Sequence, residues 1–157
     1  MGQLRRRLDP AAQQGVPPHI TLLFPFAAPD TIDPGTIAAI KAAISPFRSF
    51  SFQLPNAARF PETLYLQPLP SAPFVALTQA LAAAFPGFPP YGGEFSDIIP
   101  HLTVAQGTSL ELDSAHTELL SALAAHGSPR STCRAVDLIE NSSGRWRPVQ
   151  QIQLGPP

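Results

Sequence analysis

The sequence predicts an α+β fold of two pseudo-symmetric lobes, each an antiparallel or mixed sheet with flanking helices, set around a central cleft. Two observations carry this. Pro18-His19-Ile20-Thr21-Leu22 recurs as Pro100-His101-Leu102-Thr103-Val104 half a chain length further on. Each copy also sits in the same order of elements: a helix, a histidine strand, a second helix, then two strands. With 157 residues, 44% of them apolar, the chain can bury one core. A single bilobal domain is expected, with repeat halves of about 1–68 and 69–157.

In the first half a short helix is expected over 3–8, followed by the first histidine strand. Residues i and i+2 of a strand share a face, so His19 and Thr21 should point together, with Ile20, Leu22 and Phe24 turned into the core. Asp33-Pro34 then supplies an N-cap and a first-turn proline. Ile37, Ile40 and Ile44 recur at helical spacing, and Ser45-Pro46 ends that helix. Phe50, Phe52 and Leu54 alternate with Ser51 and Gln53, the period of a half-buried strand. Pro55-Asn56 reads as a turn into a partner strand holding Leu64 and Leu66.

In the second half a helix over 73–85 and a Pro/Gly-rich loop over 86–93 precede the second histidine strand, where His101 and Thr103 oppose Leu102 and Val104. Leu112, Leu119, Leu120 and Leu123 form the apolar stripe of a helix over 113–126 that Gly127 stops. Val136, Leu138 and Glu140 lead through Asn141-Ser142-Ser143-Gly144, which is hairpin chemistry, into a last strand from Trp146 to Leu154. Cys133 is expected on the same strand as Val136 and Leu138, as a buried structural thiol. The first half is one strand short. A strand holding Leu64 and Leu66 precedes the helix that leads to His101, and its counterpart would fall before Met1. Either that first strand is absent or the C-terminal strand takes its place.

Composition narrows the function. With 10 Lys+Arg against 11 Asp+Glu, the net charge of -1 gives no basic field for holding long nucleic acid without sequence preference. Lys41 is the single lysine, so a phosphate contact is expected through a guanidinium, although genome composition produces the same bias. One cysteine excludes an internal disulfide and a multi-cysteine metal site. No apolar run approaches the roughly 18–20 residues of a membrane span. Arg5-Arg6-Arg7 is not followed by the apolar stretch of a signal peptide, and Arg6 stands where a myristoylation motif needs Ser or Thr. Asn141-Ser142-Ser143 matches a glycosylation acceptor but, with no secretion signal, reads as a turn. A soluble cytoplasmic monomer is expected.

One H-x-T in a strand ordinarily marks a satisfied core or surface histidine. Two copies, each after a proline and within matching repeats, reverse that reading. A duplicated imidazole and hydroxyl supply what phosphodiester cleavage without a metal needs. One neutral histidine takes a proton from water and the other, protonated, gives one to the departing oxygen. Thr21 and Thr103 hydrogen-bond the non-bridging phosphate oxygens.

Val16-Pro17-Pro18-His19-Ile20-Thr21-Leu22-Leu23-Phe24-Pro25-Phe26 and Pro100-His101-Leu102-Thr103-Val104-Ala105 resemble the paired motifs of the two-histidine (2H) phosphoesterases, in particular the bacterial 2'-5' RNA ligase-like proteins. The likeness extends to the ending, Gly144-Arg145-Trp146 through Gln153-Leu154-Gly155. It implies hydrolysis of 2',3'-cyclic phosphates at RNA ends or on small nucleotides, or reversible 2'-5' RNA ligation, without a metal or other cofactor. His19 and His101 would be the acid/base pair and Thr21 and Thr103 the phosphate ligands. The family has a strand ahead of its first helix, and this chain begins without it. The rival readings are a phosphoesterase with a non-RNA substrate and a module that binds nucleotide or RNA ends without turnover.

Other candidates lie nearby. Tyr91 and Phe95 flank Gly92-Gly93 before the second motif and are placed to stack on a base. Arg145 and Arg147 beside Trp146 are candidate phosphate contacts, with Trp146 itself read as core. Arg5, Arg6 and Arg7 read as a solvated helix face. His116 lies on a helix and His126 at its end, where the dipole favours a cation. No close-spaced ligand pair supports a zinc site.

Overall fold

The computed structural model describes residues 2–94 and 97–157. Among the described residues five α-helices and six strands follow in turn: α1 (Gly2–Leu8), α2 (Pro10–Gln13), α3 (Pro34–Ile44), β1 (Phe50–Phe60), β2 (Thr63–Leu69), α4 (Ala72–Ala84), β3 (Leu102–Gln106), α5 (Ser109–His126), β4 (Arg130–Cys133), β5 (Ala135–Glu140) and β6 (Arg147–Gln153). The fold is α+β, and both sheets are antiparallel. One is four-stranded in the order β3-β2-β1-β4, and the other is the β5-β6 hairpin.

Local chemistry explains the helix ends. Asp33 accepts the Thr36 N–H at 2.7 Å, with Pro34 in the first turn of α3. Thr108 and Glu111 close a capping box on α5, and Gly127, at φ 75°, ends it. Leu112 and Leu119 of that helix are fully buried, each contributing about 1.5–3 kcal/mol of apolar transfer. Leu120, expected on the same stripe, faces out at 48% exposure.

The lobes are built by exchange between the sequence halves. One core gathers Leu54, Leu64 and Leu66 from β1 and β2 with Val104 and Ala105 from β3, under Leu4 of α1 and Leu112, Ala115 and Leu119 of α5. The other gathers Ile40 and Ile44 of α3, Leu77 and Leu81 of α4 and Ile152 of β6, with Leu22, Leu23 and Phe26 packed against it. The first motif therefore lies with the hairpin of the second half, and the second motif with the strands of the first half.

Three expectations are corrected. Pro55-Asn56 is not a turn: β1 runs through it, and the register with β2 shifts between Gln53 and Asn56. Proline has no N–H for the ladder, and a bulge absorbs that loss without ending the strand. Cys133 and Val136 do not share a strand, because the chain leaves the four-stranded sheet at Cys133 and enters the hairpin at Ala135. The first histidine segment is not a strand of either sheet. Pro17, Pro18 and Pro25 remove three ladder donors from it, whereas only Pro100 precedes His101 and β3 starts directly after it.

Candidate active site

The second motif is held by a ladder. Leu102 pairs with Leu66 and Thr103 with Tyr65, so Thr103 takes one face while Leu102 and Val104 pack into the core. His101 stands at the start of this strand, its ring centroid 5.2 Å from both Phe60 and Tyr65. The first motif is held by α1. Arg5 and Asp9 form a buried ion pair, 4% and 1% exposed, with Arg5 Nε 2.8 Å from Asp9 Oδ2. Arg5 Nη2 also donates to the Val16 carbonyl at 3.3 Å, just ahead of the motif. Arg5 is thus no part of a solvated face, while Arg6 and Arg7 are exposed as expected.

Both imidazoles are oriented by the same device. His19 Nδ1 lies 3.0 Å from the Pro17 carbonyl and His101 Nδ1 lies 2.7 Å from the Ile99 carbonyl, in each case two residues upstream. A carbonyl only accepts, so Nδ1 carries the proton and Nε2 is left for a ligand. The intervening proline confines the residue before it to extended backbone, which fixes where its carbonyl points. This is the structural content of the proline that precedes each histidine.

His19, Thr21, His101 and Thr103 are all half-buried and line one cavity of about 1540 Å³, ample for a nucleotide. Burial pushes the His19 pKa below the ordinary imidazole value; its bond to the Pro17 carbonyl and the Asp9 charge oppose this, and Arg5 and His101 reinforce it.

The remaining candidates separate. Tyr91 lines the cavity, and its hydroxyl donates to the Ile99 carbonyl at 3.5 Å. Phe95 lies outside the described residues. Arg145 is exposed on the hairpin turn and is not among the cavity-lining residues. Arg147 binds Glu140, whose carboxyl is held at about 2 by the Ser142 hydrogen bonds and by Arg147. It closes the hairpin. The Cys133 thiol is pushed up by burial, in keeping with a structural role. Among the described residues no three His, Cys, Asp or Glu side chains gather to hold a metal ion, and no helix is long and apolar enough to cross a membrane.

Two residues of the cavity wall depart from the expected core positions. Phe24, expected in the core, is 55% exposed on the cavity wall, its ring edge-on to Trp146 with centroids 6.4 Å apart. Strand alternation does not apply to an unpaired segment, so Leu22 and Leu23 both pack inward and Phe24 turns out. Trp146, read as core, is half-buried in the same wall, its Nε1 donating to Gln14 Oε1 at 3.1 Å.

The family described as the 2'-5' RNA ligase superfamily matches residues 1–145, a span holding both histidine motifs and every element through β5. No curated protein matches the chain. With the family match covering most of its length, the chain belongs to the 2'-5' RNA ligase superfamily, within the 2H phosphoesterases.

Proposed function

We propose that this chain is a metal-independent phosphodiesterase that opens 2',3'-cyclic phosphates of RNA ends or small nucleotides, with 2'-5' RNA ligation as the same ring opening when a ribose 5'-hydroxyl takes the place of water. The observation that carries this is the pair of imidazoles held alike through Nδ1 on one cleft. His19, kept neutral by burial and by Arg5, is the general base. Its Nε2 takes a proton from water as the water oxygen bonds to phosphorus. His101, entering protonated, gives its Nε2 proton to the ribose oxygen whose bond to phosphorus breaks. Proton and charge balance, and the next turnover needs only exchange with solvent. Thr21 and Thr103 hold the non-bridging oxygens. The exposed face of Phe24 beside Trp146 offers a stacking surface for a base. Arg145, on the hairpin next to Trp146, is a contact for the backbone of a longer RNA. The two imidazoles carry both proton transfers, so the reaction asks for no metal.

The test is turnover of 2',3'-cyclic nucleotides and cyclic-ended oligoribonucleotides in excess EDTA. Release of a phosphomonoester that EDTA does not slow is the expected result. Turnover abolished by EDTA overturns the metal-free reaction, and tight binding without turnover marks a binding module instead.

A further inference from the structure

We propose that Tyr91 is a positioning residue that clasps the two histidine segments together. Its backbone N–H donates to the Phe24 carbonyl at 2.9 Å, three residues beyond Thr21. Its hydroxyl donates to the Ile99 carbonyl at 3.5 Å, and that same carbonyl receives His101 Nδ1–H at 2.7 Å. One residue thereby touches the backbone of the unpaired first segment and the group that orients the second imidazole.

The backbone at Tyr91 supports a specific task. Its φ of 55° and ψ of 30° are left-handed, and it is the one non-glycine residue with positive φ among the described residues. Gly92 and Gly93 continue the left-handed run at φ 66° and 81°. A glycine at position 91 would hold this turn without strain but would have no hydroxyl. A bulky side chain kept in such a conformation points to a role for that side chain. The ring is half-buried, and burial pushes the hydroxyl pKa up, so it stays protonated and able to donate.

The clasp rests on the acid/base reading of the histidines, but its test does not depend on turnover alone. Tyr91→Phe removes only the hydroxyl, and Tyr91→Gly removes the ring while relieving the turn. In Tyr91→Phe, kcat on a 2',3'-cyclic nucleotide should fall about 10-fold with KM unchanged, because a small misplacement of a reacting group costs rate more than binding. In the NMR pH titration of the imidazole protons, His101 should shift while His19 and His116 stay in place. Tyr91→Gly should move His101 at least as far. An inactive wild-type protein defeats the phosphodiesterase reading and leaves the titration to decide the clasp. A His101 titration unchanged in both variants overturns the clasp, as does one in which every histidine moves together. Wild-type kcat in Tyr91→Phe overturns it too.

Discussion

The two histidine segments are alike in sequence and differ in what holds them. Around His101 the chain is a sheet strand, with Leu102 and Thr103 paired to β2 and Val104 and Ala105 fully buried beneath. Around His19 the chain joins neither sheet. It is suspended between a buried ion pair at one end, Arg5 with Asp9 reaching Val16, and the Tyr91 N–H on Phe24 at the other. Yet both imidazoles use Nδ1 in the same way, against the carbonyl two residues upstream. The orientation of the two imidazoles is encoded locally, in X-Pro-His, while support is supplied by whatever each lobe offers. A ladder holds a segment through many backbone bonds, and side chains hold it through few, so the first segment is the one a single substitution can loosen.

The largest effect that separates the segments should come from Arg5→Met. It leaves the Asp9 carboxylate buried without its cation, a loss of about 3–5 kcal/mol in a urea titration. Adding Asp9→Asn should recover much of it. Hydrogen exchange should quicken at residues 19–24 more than at 102–106. A loss of less than about 1 kcal/mol, or equal quickening in both segments, would mean that α1 does not hold the first motif.

A smaller effect should appear in the pH profile. The His19 pKa is lowered, chiefly by burial, so its neutral form persists as pH falls below the ordinary imidazole value. The acid limb of kcat/KM should therefore lie below pH ~6.5. Among the charged groups facing His19, Arg5 and His101 oppose its protonation and Asp9 favours it. In the Arg5→Met, Asp9→Asn double variant the Arg5 and Asp9 contributions, which are opposite in sign, are lost together, and the limb should stay below the ordinary value because burial remains the chief cause. An acid limb at or above the ordinary value would assign the base to another group.

Much of this was legible in the sequence because it is local. The Asp33 cap of α3, the Gly127 stop of α5 and the β5-β6 hairpin follow from short-range spacing and form as read, whereas α5 begins four residues earlier than expected, on the Thr108 cap. What was hidden depends on partners distant in the chain. Proline content next to His19 hinted that no ladder could form there, but the repeat argued for a strand, and the missing donors decided the outcome. Phe24 looked like core because alternation was assumed, and it faces the cleft because the segment is unpaired. Arg5 looked solvated beside Arg6 and Arg7, but helical spacing sets Asp9 one turn away and turns that pair inward. The exchange of strands between the halves has one trace in the sequence, a first half that is a strand short, and the C-terminal strand packs with the first motif.

The central claim is that His19 and His101 act as one unit on one phosphate. It is tested most directly by turnover of a 2',3'-cyclic nucleotide in EDTA by His19→Ala, His101→Ala and the double variant. Each single change should lower kcat by about 10²–10⁴-fold, with the double variant scarcely below the weaker single, because a broken pair has little more to lose. Turnover that survives either single change, or a double variant that falls by the product of the two, would contradict it.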